Sequence, residues 1–245
     1  VRENFDLSKV VEYTVEAGRP DCITDEVLAL LKEKGVTRIC VNPQTFNDKT
    51  LAEIGRKHTA KDIIDKFALA RKYGFDINMD LIAGLTGETF EDFRYSMDTA
   101  LELDPDNLTV HTLSLKKGSV LKEKCDRLPA GEIKKMIDYS AYKSINAGFS
   151  PYYMYRQKYM ADNLENVGYA VPEKVCRYNI DNMEETTSVL ALGAGGISKC
   201  VMREQEKILR APNIANIEQY IDRVDEMIER KREAFAAKAE MWKQV

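Results

Sequence analysis

The side chains with the clearest capacity for chemistry lie in or just after four apolar segments of the chain. Glu16, the Asn42–Gln44 segment and Asp80 belong to the first three segments, and Thr112 and Ser114 belong to the fourth. A parallel strand that is buried on both faces contains almost only apolar residues. Polar groups at one end of four such strands therefore predict a polar ligand at that end. For each residue alone, the alternative is a helix cap or a hydrogen bond to a loop amide.

Strands and helices alternate over the first half of the chain. Four segments rich in apolar and β-branched residues predict strands, at residues 10–16, 38–43, 75–82 and 108–115. Between them, apolar residues at helical spacing predict helices that begin after Thr24, after Asn47 or Thr59, and near residue 88. This alternation is typical of βαβ units and a parallel sheet, in which ligands bind at the carboxyl ends of the strands.

The second half of the chain has a different pattern. We predict a barrel portion at 1–118 and a C-terminal, substrate-side region at 119–245. Three elements are expected in the second region, namely a helix over 131–147, a strand or hairpin over 148–160 and one long amphipathic helix from Asn216 to Trp242. The expected fold class is therefore α/β, with a partial parallel (β/α) barrel followed by a mostly helical C-terminal region.

Composition excludes several classes of protein. The chain has 245 residues, of which 44% are hydrophobic, and a formal net charge of −4, which argues against a nucleic-acid-binding protein. No apolar run reaches the roughly 18 residues that a membrane helix needs, and the first residues lack the pattern of a secretory signal. The five cysteines form no C-x-x-C pair. We therefore expect a cytoplasmic protein with no membrane span.

Five motifs occur in the order and spacing of one enzyme family. They are a strand that ends in Glu16, then Gly35–Ile39, Gln44–Phe46, Gly55–His58 and Asn78–Leu85. Together they resemble the radical S-adenosylmethionine (SAM) enzymes of the oxygen-independent coproporphyrinogen III oxidase family. A further segment, Tyr152–Lys158, resembles the coproporphyrinogen dehydrogenase-like branch, so that the resemblance covers essentially the whole chain. One departure is Thr86, which stands where the family motif has proline.

The resemblance implies a radical SAM barrel in which the strands of this chain correspond to the third to the sixth. It also implies that SAM is bound by five residues at the strand ends, Glu16, Gln44, Arg56, Asp80 and Ser114. Carboxylate and amide groups would hydrogen-bond to the ribose or the ammonium group of SAM, and Arg56 would pair with its carboxylate. The sequence leaves open whether one or two SAM molecules bind.

The cluster-binding loop of this family, C-x-x-x-C-x-x-C, does not occur in the sequence. In the family its three thiolates hold a 4Fe–4S cluster that binds SAM. We therefore expect the loop upstream of Val1, no metal ligands in this chain, and no activity from this chain alone.

The resemblance also implies an oxidoreductase that acts on a porphyrinogen. Its reaction would be the oxidative decarboxylation of coproporphyrinogen III propionates to vinyl groups in anaerobic haem biosynthesis. An electron donor such as a flavodoxin or a ferredoxin would be its partner. A haem-binding and haem-delivering protein of the same family is the alternative. An ordinary barrel lyase or aldolase ranks last, because the strand ends offer neither a catalytic lysine nor a set of metal ligands.

Three residues of the Tyr-rich segment are candidates for substrate binding. Tyr155, Arg156 and Lys158 would suit a flat, polyanionic tetrapyrrole, since aromatic and basic groups complement its rings and propionates. The alternative is a hairpin that has tyrosines in its core and basic groups in solvent. Of the two histidines, His58 is interpreted as a hydrogen-bonding residue at a helix start, and His111 as a hydrogen-bonded core histidine.

Overall fold

The computed structural model of the protein describes residues 3, 5–114, 128, 131–156, 164–203 and 206–242, with side chains described up to residue 236. The chain divides into two units, Val1–Arg177 and Tyr178–Val245. This division differs from the predicted boundary at 118/119. The reason is that a helix and two strands that follow residue 118 contact the sheet of the first unit and become part of it.

A six-stranded sheet forms the centre of the first unit. Its strands are β1 (Thr14–Gly18), β2 (Arg38–Val41), β3 (Asp76–Ala83), β4 (Asn107–Thr112), β5 (Ser150–Tyr155) and β6 (Asn166–Ala170). They lie in the order β1-β2-β3-β4-β6-β5, in which the first four are parallel and the last two antiparallel. The predicted parallel sheet is confirmed. The first strand begins later than predicted, since the amide of Tyr13 pairs with the Thr37 hydroxyl rather than with a neighbouring strand.

Five α-helices accompany this sheet in the part of the first unit that the structure describes. They are α1 (Asp25–Glu33), α2 (Asp48–Glu53), α3 (Ala60–Lys72), α4 (Phe90–Glu102) and α5 (Glu132–Asn146). Both candidate caps of the second predicted helix are used, because there are two helices in this region. Asn47 accepts hydrogen bonds at the start of α2, and Thr59 forms a capping box with Asp62 at the start of α3.

One face of the sheet is apolar and carries the core. Its strand residues are buried and alternate along the chain, as in Ile77, Met79 and Leu81 of β3. Helices α3, α4 and α5 contact β3 or β4. Their apolar side chains belong to the same buried cluster as the strand residues, and include Phe67, Phe93 and Met136. Because the apolar residues of each strand face this core, the residues that alternate with them face the opposite side of the sheet.

The opposite face of the sheet is polar. The register of β1 to β4 aligns the side chains of this face across the strands. We call this surface the polar face, and it consists of Glu16, Arg38, Cys40, Asp76, Asn78, Asp80, Asn107, Thr109 and His111. A side-chain period of two separates these residues from the core residues between them. Glu16 and Asp80, two of the candidate residues, therefore lie on one surface of the sheet.

The second unit is smaller than the first. A hairpin of two strands, β7 (Ile197–Met202) and β8 (Lys207–Pro212), comes after helix α6 (Arg177–Met183) in the chain. The single long helix predicted from Asn216 is wrong, because the backbone leaves the helical region at Arg223, with φ −119° and ψ 28°. Two helices result, α7 (Ile217–Asp222) and α8 (Val224–Trp242). Over the described residues, no helix is both long and apolar enough to cross a bilayer.

Candidate functional site

Two carboxylates from different strands converge on the thiol of Cys40 at the centre of the polar face. Glu16 on β1 and Asp80 on β3 are both close enough to the thiol for their charges to act on it. Burial raises the pKa of the Cys40 thiol far above its usual value, and both carboxylates add to this effect. Cys40 therefore stays protonated, and Glu16 and Asp80 share one neighbourhood.

Asn42 extends this neighbourhood towards the carboxyl end of β2. Its backbone amide donates to the carbonyl of Gly18, 3.1 Å away, at the end of β1. The side chain is only 9% exposed, and its carbonyl oxygen Oδ1 has no hydrogen-bond partner among the described residues. Buried polar groups are almost always satisfied, so an unmet acceptor at a strand end indicates a missing donor. The sequence placed Asn42 at this end but did not single it out.

The backbone of Gln44 is fixed against β3 at Asp80. Its amide donates to the Asp80 carbonyl and its own carbonyl accepts from Ile82, both at 2.9 Å. The residue has a φ of +67°, which is uncommon for a residue with a side chain. Such conformations cluster at functional sites, because the surroundings must hold them in place. The structure thus brings Gln44 to the same strand end as Asp80, as predicted from the sequence.

Arg56 lies in a second, basic cluster that follows β1. Burial lowers the pKa of its guanidinium, the charge of nearby Arg19 lowers it further, and Asp21 opposes both effects. Arg19 comes directly after β1, so the two arginines meet at the carboxyl end of this strand. Two neighbouring guanidinium groups form a site for an anion such as a carboxylate. Sequence reasoning found Arg56 and missed Arg19, whose only signal was its position after a strand.

His58 belongs to the same cluster and is 7% exposed. Burial lowers the pKa of its imidazole, and the charge of Arg56 adds to this effect. Its Nε2 atom has no hydrogen-bond partner in the described part of the chain. The capping box of Thr59 and Asp62 already satisfies the start of α3. The predicted role at a helix start is therefore filled by other residues, and neutral His58 offers an unmet ring nitrogen beside Arg56.

The predicted core position of His111 is wrong. Its side chain is 26% exposed on the polar face, because it alternates along β4 with the buried Val110 and Thr112. The Nε2 atom lies 3.7 Å from Oδ2 of Asp80, and the Nδ1 atom lies 3.3 Å from the Tyr155 hydroxyl. The structure therefore joins a predicted cofactor residue to a predicted substrate residue through a histidine that was assigned to the core.

The remaining predicted residues lie nearer the margins. Ser114 is half-buried, two residues beyond the end of β4. Arg156 follows β5 and is well exposed, with Nη2 at 3.1 Å from Oε2 of Glu165. This ion pair already satisfies part of its charge, which weakens the case for a dedicated substrate contact. Lys158 lies outside the described residues.

The two ends of the polar face differ in what covers them. At the amino ends of the strands, the buried Arg38 donates to Asn78 at 2.7 Å and to the carbonyls of Lys174 and Val175. The carboxylates of Glu12 and Asp76 lie 3.4 Å and 3.6 Å from its guanidinium. The protein's own groups therefore occupy this end, although Nε of Arg38 and the Thr14 hydroxyl have no hydrogen-bond partner among the described residues. At the carboxyl end, the buried atom without a partner is Oδ1 of Asn42.

The described residues do not offer ligands for an iron–sulfur cluster. No group of three or more histidine, cysteine or acidic side chains in the described ranges could hold a metal ion. Cys22 is exposed, while Cys40, Cys176 and Cys200 are buried, and Cys125 lies outside those ranges. The polar face and the basic cluster together fit a zwitterionic organic ligand, since the first offers acidic and amide groups and the second offers guanidinium groups.

Comparison with known proteins identifies the class to which this fold and site belong. Residues 6–100 match the Radical SAM superfamily. Residues 6–100 therefore form a radical SAM domain, and they include Glu16, Gln44, Arg56 and Asp80.

Two curated relatives share this similarity. The chain is 41% identical over 235 residues to the oxygen-independent coproporphyrinogen-III oxidase-like protein HemZ of Bacillus subtilis (strain 168), which covers 94% of this chain and 47% of HemZ. It is also 41% identical over 121 residues to the heme chaperone HemW of the same organism, covering 49% of this chain and 31% of HemW. The chain thus spans about half the length of HemZ, or less for HemW.

A solved structure shares the fold. Coproporphyrinogen III oxidase (HemN) from Escherichia coli, a radical SAM enzyme, matches with a TM-score of 0.70 over 92% of this chain and 51% of HemN. At 22% sequence identity, this likeness concerns the fold alone. It agrees with the partial radical SAM barrel expected from the sequence.

Proposed function

We propose that the carboxyl end of the polar face binds SAM. The observation that carries this proposal is the convergence of Glu16 and Asp80 on Cys40, beside the buried and unmet acceptor of Asn42. A purely structural polar cluster would satisfy that acceptor internally. The radical SAM domain at residues 6–100 supplies the identity of the ligand.

Each group of residues has a task that its chemistry suits. Glu16 and Asp80 accept hydrogen bonds from hydroxyl or ammonium groups of SAM, and Gln44 adds an amide held next to Asp80. Arg56 pairs with the SAM carboxylate, with Arg19 beside it. Ser114 contributes a hydroxyl from the fourth strand. SAM carries both signs of charge, so the acidic groups on β1 and β3 and the basic cluster after β1 would together set the direction in which it lies.

In the whole protein, SAM bound at a reduced 4Fe–4S cluster would supply the hydrogen-abstracting chemistry of this superfamily. The described residues of this chain contribute the binding surface for SAM. They bind and orient SAM, and the one-sided core of the sheet keeps that surface rigid.

We further propose that the whole protein is an oxidoreductase that acts on a porphyrinogen. The reaction would convert coproporphyrinogen III propionates to vinyl groups, with a flavodoxin or a ferredoxin as electron donor. Similarity to the oxidase-like HemZ over 94% of the chain supports this reading. Tyr155 is in hydrogen-bond contact with His111 next to Asp80, which supports a substrate position near SAM.

Haem binding and delivery is the second candidate. It is favoured by the 41% identity to the heme chaperone HemW, although that similarity covers only 49% of the chain. The same aromatic surface around Tyr155 would suit a flat haem as well as a porphyrinogen.

The SAM site is tested by titrating SAM into the whole protein, after anaerobic reconstitution of its cluster. Glu16→Gln and Asp80→Asn should each weaken binding about 10- to 100-fold, since a hydrogen bond to a charged group contributes about 1.5–3 kcal/mol. Asp138→Asn is the matched control, because Asp138 is exposed on α5 and pairs only with Lys134 among the ion pairs seen. Unchanged affinity in both site variants would refute the proposed site.

The two candidate functions are separated by a second pair of measurements. The reconstituted protein is incubated anaerobically with coproporphyrinogen III, SAM and a reductant, and products are separated by chromatography. Formation of the divinyl product supports the oxidase. Stoichiometric haem binding without any such product supports the haem carrier instead.

A further inference from the structure

Three side chains from three strands form a row across the polar face. Asp80 is on β3, His111 is on β4 and Tyr155 is on β5, with 3.7 Å between Asp80 and His111 and 3.3 Å between His111 and Tyr155. The rings of His111 and Tyr155 meet edge to face, at an interplanar angle of 71°. The row runs from the proposed SAM site to the strand that carries the candidate substrate residues.

A glycine makes room for the tyrosine ring that packs beside this row. Strand β6 lies between β4 and β5, so a side chain of β5 must cross it to reach β4. At the pairing of Thr109, Gly168 and Tyr153, a Cβ on Gly168 would overlap the Tyr153 ring. Glycine therefore leaves β6 open, and tyrosine rings from β5 lie over it towards β4.

The Tyr155 ring is held by its neighbours. It stacks on the Tyr153 ring with centroids 6.1 Å apart and an interplanar angle of 7°, and the Tyr153 hydroxyl lies 3.0 Å from Thr109. Burial raises the pKa of Tyr153, so its phenol stays protonated and this contact persists. A hydroxyl placed by such packing is preorganised towards His111.

The geometry gives each ring nitrogen of His111 its own partner. With a hydrogen on Nε2, His111 directs a donor towards Oδ2 of Asp80 at 3.7 Å, and Nδ1 can accept from the Tyr155 hydroxyl at 3.3 Å. A partner on one ring nitrogen fixes which atom carries the proton, and so fixes the direction of the other. Tyr155 thereby acts on Asp80 without touching it.

We propose that His111 is a positioning residue that holds the Asp80 carboxylate for SAM and couples it to the Tyr155 hydroxyl. This inference rests on the proposed SAM site. Its consequence is that a change on β5, at the substrate side, alters the affinity for SAM through His111.

The test is a double-mutant cycle on SAM affinity, measured by calorimetry on the whole reconstituted protein. Tyr155→Phe removes only the hydroxyl and should weaken SAM binding about 2- to 10-fold, the range of one net hydrogen bond. His111→Phe should weaken it at least as much. In the double variant, Tyr155→Phe should have no further effect, because the connecting group is gone. His111→Gln, which keeps a donor for Asp80, should recover most of the affinity.

Tyr152→Phe is the matched control, since the Tyr152 hydroxyl contacts Asn107 at 2.9 Å rather than His111. Thermal unfolding of each variant shows whether it has folded, and Tyr155→Phe and His111→Gln keep the test open if His111→Phe does not. Independent effects of Tyr155→Phe and His111→Phe, or an unchanged affinity in both, would overturn the coupling. If Asp80→Asn weakens SAM binding in the same series, such a result refutes the role of His111 and leaves the proposed SAM site standing. If Asp80→Asn also has no effect, the proposed SAM site fails with it.

Discussion

The unmet acceptor of Asn42 makes an unusual prediction, because stability and binding should respond with opposite signs. A buried carbonyl without a hydrogen bond costs about 1–3 kcal/mol. Asn42→Leu removes that carbonyl and keeps a branched side chain of similar length. We expect the SAM-free protein to gain up to about 1 kcal/mol in free energy of unfolding, since the larger leucine offsets part of the benefit. SAM should bind about 5- to 30-fold more weakly, because its donor loses a partner worth about 1–2 kcal/mol.

Asn78→Leu is the comparison variant for this experiment. Asn78 is on the same face and on the neighbouring strand, but its Oδ1 accepts from the Arg38 guanidinium at 2.7 Å. Its removal should lower the free energy of unfolding by about 1.5–3 kcal/mol, because a buried charge loses a hydrogen bond. Denaturant unfolding without SAM and calorimetric titration with SAM measure the two quantities. The reasoning about the unmet acceptor is wrong if Asn42→Leu lowers the free energy of unfolding by about 1 kcal/mol or more, as expected for Asn78→Leu, and leaves the SAM affinity unchanged.

Two further predictions concern stability. Gly168→Ala should destabilise the protein by about 1–3 kcal/mol, because its Cβ meets the Tyr153 ring; adding Tyr153→Ala should remove most of that extra cost in denaturant unfolding. Glu88 is 1% exposed, and burial raises the pKa of its carboxyl. The folded protein therefore holds this proton to higher pH than the unfolded chain, so stability should fall as pH rises from the unfolded to the folded pKa. Glu88→Gln should flatten that part of the pH–stability curve, and an unchanged slope would contradict the assignment.

The polar face explains why a single sheet carries both the core and the candidate site. In β3 the sequence Asp-Ile-Asn-Met-Asp-Leu-Ile-Ala alternates polar and apolar residues over most of its length. The apolar residues pack under the helices, and the polar residues are aligned with those of β2 and β4. A substitution that shifted the register by one residue would exchange these faces, so the core and the site depend on the same pairing.

Local patterns in the sequence determined most of the elements of the first unit. The capping boxes at Thr59 and Thr89 define the starts of α3 and α4, and they depend only on residues three positions apart. The alternation in β3 gave the strand and the polar position of Asp80 without any distant partner. The five motifs together were sufficient to identify the resemblance to radical SAM enzymes, and a match over residues 6–100 then confirmed it.

The partners of these residues were decided by the tertiary structure. His111 looked like a core residue because its neighbours in sequence are apolar, yet the register between β3 and β4 places it beside Asp80. Arg19 carried no motif and gains its meaning from Arg56, which a separate loop brings next to it. Tyr155 reaches His111, 44 residues away in sequence, across the intervening strand β6 and beside the Tyr153 ring, for which Gly168 leaves room. Periodicity is set by neighbours along the chain and can be read from them, whereas contacts across a sheet depend on register and on strand order.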